Sequence, residues 1–183
     1  FNQMAEGMPW AKQVDITASL DVTDYYRTDT HWRQEKLVDT ANILCDAMQS
    51  SRLNGYVSTL VSQDFKGVYY GQAALPMGAE EIYVLENAAL ENCRVYNYET
   101  GKYGSIYDLS KLSGNDPYDV YLSGAQSLLR IENPNAKTDR ELVIFRDSFG
   151  SAIAPLLVQG YKTITLVDIR YLSSAMLNRF IDF

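Results

Sequence analysis

A serine hydroxyl attacks a carbonyl only when a nearby base takes its proton, and this chain holds a single imidazole, His31. The serine best placed to use it is Ser148, in Arg146-Asp147-Ser148-Phe149-Gly150. That segment follows the apolar run Leu142-Val143-Ile144-Phe145, which reads as a strand buried on both faces. Residues 151–159 read as a short helix interrupted by Pro155. The carboxyl end of a strand is where open α/β sheets bind ligands. A helix start adds free N–H groups and a positive dipole end, surroundings that suit a developing oxyanion. A carboxylate beside His31 would fix its tautomer and stabilise the imidazolium; Asp29 is the nearest and Asp24 the next. The same residues also have structural readings. Ser148, Asp147 and Asp29 suit helix caps, and a lone histidine among polar groups suits a simple hydrogen-bonding role. From spacing alone both sets of roles stand open.

These residues need elements to position them. Leu37, Val38, Ala41, Leu44, Cys45 and Met48 form one apolar face of a helix over about 34–51, closed by Asn54-Gly55. The stretches 56–61, 67–71, 81–85 and 94–98 are β-prone, with Thr100-Gly101 as a turn. They make residues 56–115 a β-rich insertion, antiparallel in character. Residues 119–122 and 128–131 read as further short strands, and 132–140 as a polar loop around Pro134. Thr163–Val167 is a second buried strand and 172–180 a last amphipathic helix. Strand–helix–strand–helix with short connections predicts a parallel α/β sheet.

Composition bounds the function. The chain has 183 residues, enough for one domain, and its 46% hydrophobic content supplies a core. A net charge of −7 without a lysine–arginine run argues against nucleic acid and against anionic membranes. No apolar run approaches the roughly 20 residues of a membrane span, and no signal peptide is visible. A chain that starts at Phe1 reads as a processed or truncated product, or a fragment of a longer one. Cys45 and Cys93 lie outside any Cys/His cluster, which excludes a structural zinc site; free thiols and a Cys45–Cys93 disulfide both stay open. A metal site on Asp29 and His31 lacks further ligands, so neither a metal nor another cofactor is expected.

Two long motifs carry a resemblance. Tyr25-Tyr26-Arg27-Thr28-Asp29-Thr30-His31-Trp32 resembles the Tyr-Arg-Thr-Asp-x-His-Trp motif of bacterial DHHW proteins, with Thr30 where that family has a second histidine. Residues 141–157, followed by 164–171 ending Asp168-Ile169-Arg170-Tyr171, resemble the family's second signature. Such proteins are similar to SGNH-type hydrolases and to bacterial alginate O-acetylation proteins. The resemblance spans about residues 25–183. It implies a single SGNH-hydrolase-like domain over 1–183, a three-layer sandwich around a mainly parallel sheet with a small antiparallel β insertion.

The resemblance also implies a triad of Ser148 as nucleophile, His31 as base and Asp29 as orienting carboxylate. For the oxyanion it points to the Ser148 N–H, the Gly124 N–H and the Gln126 side chain. Arg170, Tyr171, Trp32 and Tyr25 are candidates for substrate contact. The implied function is a serine esterase or O-acetyltransferase acting on a polysaccharide or an acyl-carrying small molecule, at the cell envelope or outside the cell. Any membrane contact would come through a segment absent from this chain. The alternative is a non-catalytic glycan-binding or assembly protein that keeps the hydrolase-like fold.

Overall fold

The computed structural model describes residues 7–73 and 77–182. Strands β1 (Val57–Phe65) and β2 (Glu80–Glu86) form a separate antiparallel pair. The other five are β3 (Arg94–Asn97), β4 (Lys102–Gly104), β5 (Leu128–Glu132), β6 (Glu141–Phe145) and β7 (Thr163–Val167). They form one sheet in the order β4-β3-β5-β7-β6. Only β6 and β7 run parallel. β3 is antiparallel to β4 and to β5, and β5 is antiparallel to β7.

This overturns the expected SGNH-like sandwich around a mainly parallel sheet. Parallel neighbours need a crossover connection of a dozen or more residues, usually helical. The segment between β6 and β7 supplies one, through α4 (Gly150–Ile153) and the 3-10 turns of Ala154–Gly160. β3 and β4 are joined by a short turn with Gly101 at φ 67 and so return antiparallel. The second requirement, helical layers, also fails. The longest described helix, α1 (Val38–Ala47), has 10 residues, and the rest, such as α3 (Ala88–Glu91), are short α or 3-10 turns.

Three local expectations differ for identifiable reasons. Residues 67–71 start helix α2 (Val68–Ala73) instead of a strand. The N–H groups of Gly67, Val68 and Tyr69 are taken by Thr28 Oγ1, Asp29 Oδ2 and the Thr28 carbonyl, so a distant segment caps the turn and overrides local propensity. Residues 119–122 do not form a strand, because Pro117–Val120 is a 3-10 turn capped by Asp116 on the Tyr118 N–H. The last segment is a 3-10 turn, Ser174–Arg179, where an α-helix was expected.

One core runs between the sheet, α1 and the β1–β2 pair, centred on Leu37, Phe65, Ile82, Leu129, Leu156 and Leu166. A fully buried polar residue crosses it. Gln34 Nε2 donates to the Ala152 carbonyl at 2.8 Å, and its Oε1 accepts the Leu85 N–H at 2.9 Å. Both ends of the amide are satisfied, as burial requires, and the residue ties the His31 segment to α4 and β2 together. Cys45 and Cys93 are buried free thiols, and burial pushes the Cys93 thiol up to about 11. Among the described residues no helix is long and apolar enough to cross a membrane.

Candidate active site

The segment before α1 folds back on itself. Tyr25 and Trp32 form an isolated antiparallel bridge. The Tyr26 N–H donates to the His31 carbonyl at 3.1 Å, and the Arg33 N–H to the Asp24 carbonyl at 2.7 Å. The tip is held from β2 by Glu80, whose side chain is 1% exposed. Its carboxylate accepts the Thr28 N–H at 2.8 Å, the Thr28 hydroxyl at 2.7 Å and the Arg33 guanidinium at 2.9 Å. Burial raises the Glu80 pKa, but the hydrogen bonds from Thr28 and Arg27 and the charge of Arg33 outweigh it and leave it below the ordinary value. Sequence reasoning did not find Glu80, because its partners are about fifty positions away and no local pattern marks it.

Asp29 is fully buried within this tip. Its Oδ1 accepts the His31 N–H at 3.0 Å and the ring Nδ1–H at 2.5 Å; its Oδ2 accepts the Val68 N–H at 3.0 Å. Burial pushes its pKa up, and the bonds from His31 and Val68 more than reverse that, so the carboxylate is held below its usual range. Gly67 permits the arrangement. A Cβ there would fall 2.3 Å from the Asp29 Cβ and 2.4 Å from its Oδ2.

His31 lies between Asp29 and Ser148. Because an ionised carboxylate only accepts, Nδ1 carries the hydrogen and Nε2 is the acceptor in the neutral ring. Ser148 Oγ stands 2.7 Å from Nε2, within the reach that proton transfer needs. The ring stacks on Tyr118 at 4.1 Å and 10° and meets Phe149 at 4.9 Å. Tyr118 is itself pinned by its hydroxyl on the Trp32 carbonyl at 3.1 Å. The imidazole is thus oriented by packing on its faces and by hydrogen bonds at both nitrogens.

Ser148 projects from the turn after β6. Asp147 caps that turn, accepting the Phe149 N–H at 3.0 Å; Ser148 does not, and its hydroxyl is left for His31. Gly150 lets the Arg146 side chain pass, since a Cβ would fall 2.6 Å from the Arg146 Cβ.

The remaining candidates are placed differently. The Gly124 N–H donates to the Tyr121 carbonyl at 3.1 Å. The Gln126 amide donates to the Ser123 carbonyl at 3.2 Å and accepts from Asn97 at 2.7 Å. Arg170 grips buried Asp168 through Nε at 2.8 Å and a terminal nitrogen at 2.6 Å, and lies over the exposed Tyr171 ring. Trp32 is buried, its Nε1–H on the Phe149 carbonyl at 3.2 Å; Tyr25 is half-buried. Among the described residues no group of three or more His, Cys, Asp or Glu side chains is arranged to hold a metal.

Asp119 was not foreseen. It sits on the turn that carries Tyr118, pressed against Gly124, where a Cβ would fall 1.9 Å from its Oδ1. Burial, with help from neighbouring Asp116, pushes its carboxyl up to about 6, opposed by Lys111, His31 and Arg146. A folded pKa above the unfolded one favours the folded state while the group is protonated, and that advantage fades as pH rises through the folded value. Asp119→Asn, nearly the same shape and always neutral, is therefore expected to be more stable than the wild type at pH 8 and equal to it near pH 4. After solvent screening on its exposed side, the gain is on the order of 1 kcal/mol, about 2–4 °C in Tm for a chain of this size. Thermal unfolding at the two pH values checks it, and an equal effect at both would remove the titration argument.

The crystal structure of a DHHW family protein from Eubacterium siraeum superposes with a TM-score of 0.73 at 23% identity, covering 92% of this chain and 61% of that one. Bacillus cereus PatB1 with a sulfonyl adduct gives 0.60 at 20% identity, covering 96% and 62%. A second PatB1 structure gives 0.58 at 21% identity, covering 82% and 55%. The chain thus spans about three fifths of the length of these structures, and at such identities the likeness is one of fold. No curated protein matches. Residues 17–167 match the DHHW protein family, a stretch that includes Asp29, His31 and Ser148 together with the strands between them, and the chain belongs to that family.

Proposed function

We propose that this protein is a serine esterase or O-acyltransferase in which Ser148 is the nucleophile, His31 the general base and Asp29 the carboxylate that orients the imidazole. The observation that carries the reading is the continuous line from Asp29 Oδ1 to His31 Nδ1 and from His31 Nε2 to Ser148 Oγ, at 2.5 Å and 2.7 Å. As Ser148 Oγ bonds to the acyl carbon, its proton passes to Nε2 and the carbonyl π pair moves to oxygen. Collapse of that adduct expels the alcohol, which takes the proton back from Nε2 and leaves an acyl-serine. A water then gives hydrolysis; a sugar hydroxyl gives transfer. Polysaccharide acyl groups, and a location at or outside the cell envelope, are supported by the resemblance to the alginate O-acetylation proteins.

A sulfonyl adduct is described for PatB1, and a sulfonyl fluoride is a direct probe of an activated serine. Phenylmethanesulfonyl fluoride is expected to modify Ser148 stoichiometrically, located by mass spectrometry, and to stop release of p-nitrophenol from p-nitrophenyl acetate. A folded protein that neither reacts at Ser148 nor turns over the ester would sink the reading in favour of a binding role.

A further inference from the structure

Of the three expected oxyanion donors, the Gly124 N–H and the Gln126 amide are engaged elsewhere, which leaves the Ser148 N–H. One buried residue beside the Ser148 turn bears on that donor and points to a second. Arg146 is 7% exposed. Its Nη1 donates to the Asp147 carbonyl at 3.3 Å and to Ser151 Oγ at 2.9 Å; its Nη2 donates to the carbonyls of Gly124 and Gln126 at 3.2 and 3.3 Å. The guanidinium therefore bridges the Ser148 turn and the loop before β5.

The carbonyls it binds decide which N–H groups it affects. The Asp147 carbonyl and the Ser148 N–H belong to one peptide unit; the Gly124 carbonyl and the Ala125 N–H belong to another. Neither of these two N–H groups has an acceptor among the described residues. By contrast, the Ser127 N–H, which shares a peptide with the Gln126 carbonyl, is taken by Glu99 Oε1 at 2.6 Å. A cation hydrogen-bonded at the carbonyl end of a peptide draws electron density toward it and strengthens the N–H as a donor, the cooperativity of any hydrogen-bond chain.

The loop is also held in a costly shape. Leu122, Ser123 and Gly124 are consecutive left-handed residues at φ 55, 57 and 79, a conformation that ordinary L-residues avoid and that persists only where surrounding contacts over-determine it. Arg146 is one such contact, and Ser123 Oγ on Asp108 Oδ2 at 2.9 Å is another.

We propose that Arg146 is a positioning residue of this site, whose guanidinium fixes and polarises the N–H groups of Ser148 and Ala125 as the donors that meet the oxyanion. The inference rests on the acyl-serine reading above. Arginine suits the task because its planar fork spans carbonyls on two segments at once, a span that the compact lysine ammonium lacks.

The test compares wild type, Arg146→Lys and Arg146→Met in kcat and KM for p-nitrophenyl acetate and in the rate of Ser148 sulfonylation. Each value is scaled to the folded fraction from thermal unfolding. Arg146→Met is expected to lose about 100-fold in kcat and in sulfonylation rate with KM little changed, the scale of losing an oxyanion donor. Arg146→Lys is expected to fall between, and it carries the test if Arg146→Met does not fold. Variants that react at the wild-type rate per folded molecule overturn the inference, as does a loss that falls on KM and leaves kcat unchanged. A wild type whose Ser148 does not react overturns the acyl-serine reading itself and the inference with it, so the two failures are read in different proteins.

Discussion

Replacing His31 by alanine is expected to lower both Ser148 sulfonylation and ester hydrolysis by about 10⁴-fold or more, the scale seen when a serine loses its base. The size follows from composition as well as geometry. His31 is the only imidazole in the chain, and its Nε2 is the atom 2.7 Å from Ser148 Oγ, so no neighbouring histidine can substitute. Ser148→Ala should be equally inactive, and the double variant no worse than either single one, because the two act as a unit. The folded state should survive in His31→Ala with a measurable loss of Tm, since the imidazole packs between Tyr118 and Phe149. Second-order labelling rates together with a thermal melt separate these effects. A His31→Ala protein that labels within tenfold of wild type would show that the proton leaves Ser148 by another route.

The second large effect is expected at a glycine outside both motifs. Gly67→Ala would place a methyl group 2.3 Å from the Asp29 Cβ, 2.4 Å from its Oδ2 and 2.5 Å from the Thr28 carbonyl oxygen. Two of these neighbours are backbone or near-backbone atoms, so the clash cannot be relieved by swinging a flexible tip away. The α2 turn must move off the Asp29 loop, breaking the bonds from the Gly67 N–H to Thr28 Oγ1 and from the Val68 N–H to Asp29 Oδ2 at 3.1 and 3.0 Å. Overpacking of this kind costs about 1–3 kcal/mol, and the buried carboxylate loses a donor besides. Activity should fall by at least about 10²-fold through misplacement of Asp29 and His31, with a clear loss of Tm. Gly71→Ala serves as the control, since a Cβ there meets nothing within 4 Å. If both variants kept wild-type turnover, the α2 turn would have no part in holding Asp29.

The site was more legible in the sequence than the fold. Asp29 and His31 stand in one continuous motif and Ser148 follows an apolar strand; their types and spacing left acyl chemistry and plain capping roles both open, and the family resemblance favoured the first. Their meeting across 117 positions was an expectation from family resemblance, because sequence separation carries no distance. The β6–α4–β7 unit was also visible, since its strands are continuous apolar runs with a short connection between them. Extending that one crossover to the whole sheet was the error. The direction of a strand depends on which neighbour its chain returns to, and β3, β4 and β5 return antiparallel. Residues 67–71 failed for a related reason: their β-branched and aromatic composition suits a strand, and capping from Thr28 and Asp29 makes them a helical start.

By itself the sequence determined the chemical inventory. It contained one imidazole, one serine at a strand end with glycine close behind, carboxylates close to the histidine in sequence, and a net negative charge. Only the tertiary structure decided which carboxylate serves His31 and which serves the loop. Asp29 turns inward because Gly67 leaves room and Val68 supplies a donor, while Glu80 takes the Thr28 and Arg33 donors around the same tip. It also decided that the Gly124 N–H and the Gln126 amide donate within their own loop and that Arg146 binds the carbonyls of Asp147 and Gly124. The physical reason is the same in each case. Residue type sets what a group can donate, accept or ionise, but buried polar groups must find partners, and those partners are supplied by segments that only folding brings together.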